Sequence, residues 1–160
     1  MPLEARVSSA RPTPSSEAVH QRMSRQARRD TAPEIALRRA LHRRGLRFRV
    51  NLRPTHSLRG AADVVFPKAR VVVFVDGCFW HMCPEHSTMP ASNAEWWRAK
   101  LEGNRARDRR TDELLREEGW TVVRIWEHED PEAAAGRVAE IVRLAREHTN
   151  ARSRSVRAGP

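Results

Sequence analysis

The sequence predicts an α/β layer built on a small mixed sheet. Two apolar runs lie close together at 63–67 and 70–77, and a third, at 120–128, follows a long segment of helical period. Helical segments with recognisable starts and stops stand before, between and after them. The order is helix, two strands, helix, strand, helix, without internal repeats.

The first helix is "TAPEIALRRALHRRG" (31–45). Thr31 and Glu34 have capping-box spacing, Pro33 lies in the first turn, and Gly45 stops the helix. Ile35, Leu37 and Leu41 are expected to share its buried stripe. Ten arginines against two acids lie between 20 and 49, so its solvated face is basic. "DVVFP" and "RVVVFVDG" read as adjacent strands, the second apolar on both faces and therefore central. "NAEWWRAKLEGNRARDRRTDELLREEG" reads as helix, with a break expected near Gly103 and an end at Gly119. "WTVVRIWEH" is the third strand. "DPEAAAGRVAEIVRLAREH" is the last helix, with Asp130 as cap and Pro131 at its first position.

At 160 residues the chain is expected to form one folding unit, 20–148. Residues 1–19 and 149–160 carry no apolar period and are expected to be disordered basic tails. Arginine supplies 28 of the 30 basic residues, and the formal net charge is +10. Codon bias can exchange Lys for Arg but does not by itself create net charge. The excess therefore points to a polyanionic partner, whose phosphates the Arg fork matches. No hydrophobic run approaches a membrane span and no secretory h-region opens the chain, so it is expected in the cytoplasm. Two cysteines in a reducing compartment favour metal binding or a reactive thiol over a disulfide.

Both cysteines fall in "VDGCFWHMCPEH" (75–86). Cys78, Cys83 and His86, with His128 at the end of the third strand, form a donor set that suits tetrahedral zinc without an open position. The alternative is two buried thiols and surface histidines, and His81 is a competing ligand. Asp63 opens a strand, where an acid costs β-propensity. With Asp76 ending the next strand, it either holds Mg²⁺ shared with substrate phosphates or is a solvated turn residue.

In order along the chain, "MSRQARRDTAPEIALRRALHRRGLRFRV", "GAADVVFPKARVVVFVDGCFWHMC", "EWWRAKLEGNRARDRR" and "GWTVVRIWE" resemble the very short patch repair (Vsr) DNA mismatch endonucleases. The resemblance covers about residues 22–128, and its most specific part is GCFWH joined to WWRAK-x3-N-x3-D. It implies a restriction-endonuclease-like three-layer fold, a small mixed central sheet flanked by helices. It also implies a Mg²⁺-dependent activity that nicks one strand 5′ to the thymine of a T:G mismatch left by deamination of 5-methylcytosine. The implied partners are mismatched double-stranded DNA, a DNA cytosine methyltransferase and downstream repair factors, with the chain acting as a monomer.

Carried over by residue, the resemblance implies Mg²⁺ at Asp63 and the Val75 carbonyl, His81 as the site histidine, and Asp108 and Glu34 as supporting acids. Glu34 fits its capping box equally well. The resemblance also implies structural zinc at Cys78, Cys83, His86 and His128. Phe79, Trp80 and Trp97 match residues inserted beside the mismatch, and Met23 matches one in the opposite groove. Lys100 and Asn104 match residues contacting the mismatched pair. Trp96, Trp120 and Trp126 are better candidates for the core.

Three departures mark this chain. Val75-Asp76 stands where the family pattern has Thr-His, "GAAD" replaces "GRPD", and the zinc donors are shuffled with their number kept at four. Asp76 thereby becomes a candidate extra carboxylate at the catalytic site. Two other readings remain: a restriction-like nuclease with another mismatch or methylation context, and a zinc-stabilised DNA-binding module without catalysis.

Overall fold

A computed structural model describes residues 29–157, with side chains to residue 151. Met23 and the tail expected at 1–19 lie outside the described residues. The elements are α1 (Ala32–Arg43), β1 (Arg49–Leu52), β2 (Ala62–Phe66), β3 (Val71–Asp76), α2 (Ala94–Glu117), β4 (Thr121–Trp126) and α3 (Pro131–Arg157). The sheet order is β1-β2-β3-β4.

As its unbroken apolar sequence predicts, β3 is central. It runs antiparallel to β2, from Phe66↔Val71 to Val64↔Val73, and parallel to β4, from Val71↔Thr121 to Asp76↔Trp126. Parallel neighbours need a crossover, and α2 supplies it. Successive side chains alternate between the faces of the sheet. Val71 and Val73 join Val64, Phe66, Val123 and Ile125 under α1 and α3, which contribute Leu37, Leu41, Val138 and Val142. Val65 and Val72 meet Leu115 of α2 on the opposite face, with Phe74, Trp120 and Val122 packed alongside. Helices on both faces of a mixed sheet make the three layers of a restriction-endonuclease-like fold.

Helix termini follow their sequence signals. Gly45 and Gly119 both adopt positive φ, 75° and 80°, just beyond α1 and α2. After α1, Leu46 N–H reaches the Leu41 carbonyl and Gly45 N–H that of His42. After α2, Trp120 N–H reaches Leu115 and Gly119 N–H reaches Arg116. Both are the paired bonds that satisfy orphan carbonyls when glycine turns left-handed. Asp130 caps α3 through a 2.8 Å bond from Ala133 N–H.

Several expectations are corrected. β1 went unpredicted because it is a short edge strand, "RVNL", with its first two residues exposed. α2 is unbroken at Gly103, since one exposed glycine costs only about 1 kcal/mol relative to Ala and Leu101 and Leu115 anchor the helix on either side. α3 continues to Arg157, into the segment expected to be a disordered tail from 149. No Gly or Pro interrupts 149–157, and Ala and Arg there favour helix. Trp96 and Trp126 join neither core cluster, whereas Trp120, partly buried, packs against the second as expected. No helix among the described residues is long and apolar enough to cross a membrane.

Ile35 is 36% exposed, whereas Leu37 and Leu41, four residues apart and so on one face, are 2% and 0% exposed. Leu41→Ala should therefore lower unfolding free energy by about 2–5 kcal/mol, and Ile35→Ala should change it by about 0.5 kcal/mol or less. Urea unfolding distinguishes the two, and equal losses would contradict this packing.

Candidate active site and metal centre

The β2–β3 ladder stops at Val64↔Val73, and Asp63 occupies the place where it opens. Its Oδ2 accepts a 2.7 Å hydrogen bond from the Val75 backbone N–H, so a carboxylate stands in for a ladder carbonyl. Burial pushes Asp63 up to about 6 against the pull of that hydrogen bond; Glu34 and Asp76 add to the rise and Arg38 opposes it. A half-buried oxygen donor with other acids near it fits a hard divalent cation that keeps positions open for water and phosphate.

Glu34 is 5% exposed on the first turn of α1. Its carboxylate accepts the Asp30 N–H at 2.9 Å, the Thr31 hydroxyl at 2.9 Å and Arg38 Nη2 at 3.0 Å. The expected capping box is thus altered. Thr31 makes no side-chain bond to the backbone of the helix, and Glu34 reaches back one residue further than the motif requires. Cap and acidic neighbour of Asp63 are one and the same side chain.

His81 lies in the loop after β3, four residues beyond Gly77, whose carbonyl accepts its N–H at 3.1 Å. Its Nδ1 is 2.6 Å from Asp108 Oδ2, on α2, and 3.7 Å from Asp76 Oδ1. Burial works against the imidazolium, but the Asp108 hydrogen bond and the charges of Asp76 and Asp108 outweigh it, so the His81 pKa lies above the ordinary histidine value. Burial also works against the Asp108 carboxylate, yet His81 and Arg124 hold its pKa below the usual range. Asp76, 4% exposed, is raised by burial despite its partners.

Those partners include a residue that carried no role in the sequence reading. Arg124 of β4 donates from Nη1 to Asp76 Oδ1 at 2.8 Å and Oδ2 at 3.0 Å. It also donates from Nε and Nη2 to Asp112, at 3.1 and 2.9 Å to Oδ1. A charge inside the otherwise apolar "TVVRIW" is the sequence signal for it, since an arginine in a core strand requires acid partners.

On the other side of the same loop, Cys78, Cys83, His86 and His128 converge, with ligand atoms all within 4.8 Å of one another. Among the described residues this is the only such group of three or more His, Cys, Asp or Glu. Cys78 Sγ is 3.1 Å from His128 Nδ1, and Cys83 Sγ is 3.8 and 3.9 Å from Nδ1 of His128 and His86. Tetrahedral zinc with ordinary bond lengths separates sulfur and nitrogen ligands by about 3.5 Å, a value that these three sulfur–nitrogen distances bracket. Burial, with Cys83 and Glu127 beside it, pushes the Cys78 thiol up to about 11. A bound cation reverses that penalty, because coordination deprotonates the thiol.

Between the cysteines, Phe79 and Trp80 join Trp97 of α2 in a partly exposed aromatic cluster. Ring centroids are 5.1 Å apart for Phe79–Trp80, 5.4 Å for Phe79–Trp97 and 6.1 Å for Trp80–Trp97. Trp96 extends it at 4.9 Å from Trp97, and the Lys100 ammonium lies 5.5 Å from the Trp96 ring centre. Asn104 donates to the Trp80 carbonyl at 3.2 Å, fixing the loop to α2.

Residues 15–86 match the family described as DNA mismatch endonuclease Vsr. The Type II nicking enzyme V.NaeI of Lentzea aerocolonigenes is 39% identical over 138 residues, covering 85% of this chain and 83% of that one. The Type II nicking enzyme V.XorIIP of Xanthomonas oryzae pv. oryzae is 44% identical over 103 residues, 63% of this chain and 73% of its own. The DNA mismatch endonuclease Vsr of Escherichia coli is 42% identical over 104 residues, 63% of this chain and 64% of its own. Likeness of this extent, on a restriction-endonuclease-like fold, places the chain in the Vsr family of DNA endonucleases.

Proposed function

We propose that the chain nicks one strand of double-stranded DNA 5′ to the thymine of a T:G mismatch left by deaminated 5-methylcytosine, and so starts very short patch repair. The observation that supports this most directly is the order along one loop: Phe79 and Trp80, in an aromatic cluster, immediately precede His81, which Asp108 holds through Nδ1 at 2.6 Å. A base-stacking surface is thereby joined to a proton acceptor, as cleavage beside a distorted base pair requires.

In this reading Asp63 and the Val75 carbonyl hold Mg²⁺, with Glu34 adding negative charge behind them. When bound, the ion supplies neutralisation of the charge that develops on the scissile phosphate. His81 takes the proton of the attacking water at Nε2, and Asp108 stabilises the imidazolium that results. Phe79, Trp80 and Trp97 wedge beside the mismatch, Lys100 and Asn104 contact the mismatched pair, and Met23 serves the opposite groove. Cys78, Cys83, His86 and His128 hold a structural zinc. The chain acts as a monomer, in the cytoplasm at the nucleoid. A cytosine methyltransferase sets the flanking bases, and downstream repair factors act on the nick. A second reading, a restriction-like nuclease with a different mismatch or methylation context, draws support from the Lentzea and Xanthomonas relatives, each named a Type II nicking enzyme.

Duplexes carrying one T:G pair in several methyltransferase contexts should be nicked on the thymine strand with Mg²⁺ and not with chelator, while matched duplexes stay intact. Asp63→Ala should reduce nicking on the order of 10³-fold, the loss expected when a metal's several kcal/mol are removed, with mismatch affinity retained. Binding without nicking by the unsubstituted chain would instead indicate a DNA-binding module, and cleavage of matched DNA a restriction-like nuclease.

Purified protein should contain one zinc per chain by elemental analysis. Cys83→Ser should lose the metal and several kcal/mol of stability, seen as a melting temperature on the order of 10 °C lower. Zinc-free protein with unchanged melting would end the structural-zinc reading.

A further inference from the structure

The guanidinium of Arg124 is almost fully committed. Nη1 bonds both oxygens of Asp76, Nε bonds both oxygens of Asp112 at 3.1 and 3.2 Å, and Nη2 bonds Asp112 Oδ1 at 2.9 Å. Nη2 also lies 3.7 Å from Asp108 Oδ1 and 3.5 Å from the Asp108 carbonyl. The Phe74 ring centre lies 4.8 Å away and closes one side. Asp108 and Asp76 are the two carboxylates that face His81 Nδ1, at 2.6 and 3.7 Å. Arg124 hydrogen-bonds the first of these at its backbone carbonyl, with its carboxylate at ion-pair distance, and the second at both carboxylate oxygens.

The geometry comes from three elements. β3 and β4 pair in parallel with Asp76 opposite Trp126 and Phe74 opposite Arg124, so Asp76 and Arg124 share the α2 face of neighbouring strands. Asp108 and Asp112 are one turn apart on α2 and present their carboxylates together. A planar fork can bridge such an array, whereas a compact ammonium is a single point of charge. A divalent cation at Asp76 would have to displace the Arg124 hydrogen bonds or sit against the guanidinium. Stripping a buried arginine of a partner leaves an uncompensated charge.

We propose that Arg124 is a positioning residue for nicking: it ties Asp76, Asp108 and Asp112 into one network that fixes the His81 imidazole by Nδ1, and it commits Asp76 to that network rather than to the metal. His81 Nε2 is then aimed from a rigid base. The pair Asp76–Arg124 is a support for the histidine, and Asp63 remains the metal carboxylate. The kinetic test rests on the nicking reaction proposed above, and the spectroscopic test does not.

Asp76→Asn, Arg124→Lys and Arg124→Met, with the Asp76→Asn/Arg124→Met double variant, are compared in the full chain as purified. Single-turnover nicking of a T:G duplex is measured across Mg²⁺ concentrations. Nitrogen-resolved histidine ring spectra are recorded without added Mg²⁺ or DNA. Asp76→Asn and Arg124→Met should each lower the maximal rate by about 10- to 100-fold, the cost of a catalytic group misplaced by roughly an ångström. The Mg²⁺ midpoint and mismatch affinity should stay unchanged. The double variant should lose far less than the product of the single losses, and Arg124→Lys should not restore the rate. The His81 signals should shift in Asp76→Asn and Arg124→Met while those of His42, His56 and His148 stay in place.

A Mg²⁺ midpoint raised about tenfold or more in Asp76→Asn, as loss of a metal ligand would cause, overturns the proposal. So does an unshifted His81 signal in that variant, which keeps the side chain's shape and decides the matter if Arg124→Met does not fold. If the unsubstituted chain nicks no T:G duplex, the function proposed above falls. The His81 spectra then decide the positioning role alone.

Discussion

The single bond on which the site depends is the one from Val75 N–H to Asp63 Oδ2. A strand pair that continued past Val64↔Val73 would bury Val75's amide in an ordinary ladder and leave no gap between the ends of β2 and β3. Asp63 instead satisfies the amide from a side chain. Beyond the gap, β3 remains paired with β4 as far as Asp76↔Trp126, so its end has a rigid support on only one side. The residues that follow turn out into the loop that bears both cysteines and His81. The same hydrogen bond that satisfies the backbone thus keeps a carboxylate at the sheet's opening, in spite of the burial that raises its pKa to about 6.

Burying acids around this opening requires cations, and the fold distributes them unevenly. Arg38 is bonded to Glu34, and Arg124 serves Asp76, Asp108 and Asp112. Among the described residues Asp63 has an N–H and no ion pair, so of the acids at this opening it is the one to which no cation is bonded. Burial dominates its shift, and the nearby Glu34 and Asp76 charges reinforce it. An external cation is most favoured where the internal ones stop. On that ground the two carboxylates at the ends of β2 and β3 differ in kind, although both are strand aspartates in the sequence.

Much of this arrangement was legible in the sequence, and the omissions have physical causes. Unbroken apolar residues identify β3 because a central strand is buried on both faces. The capping and glycine signals fix helix ends because they answer local hydrogen-bond needs. β1 gives no such signal: its burial comes from pairing with β2, while Arg49 and Val50 remain exposed. The ligand set Cys78, Cys83, His86 and His128 could be assembled from donor chemistry, and its four side chains do converge. The Arg124 network could not be assembled that way, because it depends on which face of β4 turns toward α2 and on strand register. The family resemblance likewise offered Asp76 no partner, since the position departs from the family pattern.

Two fasteners act on the loop from opposite ends. At its start, Cys78 N–H bonds Glu127 Oε1 at 2.6 Å, Cys78 Sγ meets His128, and Glu127 N–H bonds the Asp76 carbonyl at 2.9 Å, so the exits of β3 and β4 are joined directly. Towards α2, Asn104 holds the Trp80 carbonyl and Asp108 holds the His81 ring. Phe79 lies between these attachments, Trp80 and His81 bear the second, and Met82 follows in a left-handed conformation, φ 54°, that is uncommon outside glycine. A loop closed at only one end would let the aromatic pair and the imidazole move independently. Fastened at both, they are held in one arrangement, and in the function proposed above displacement of the rings by a base would be felt at His81. In the function proposed above, coupling of recognition to proton transfer would require no separate moving part, because three consecutive residues would carry both.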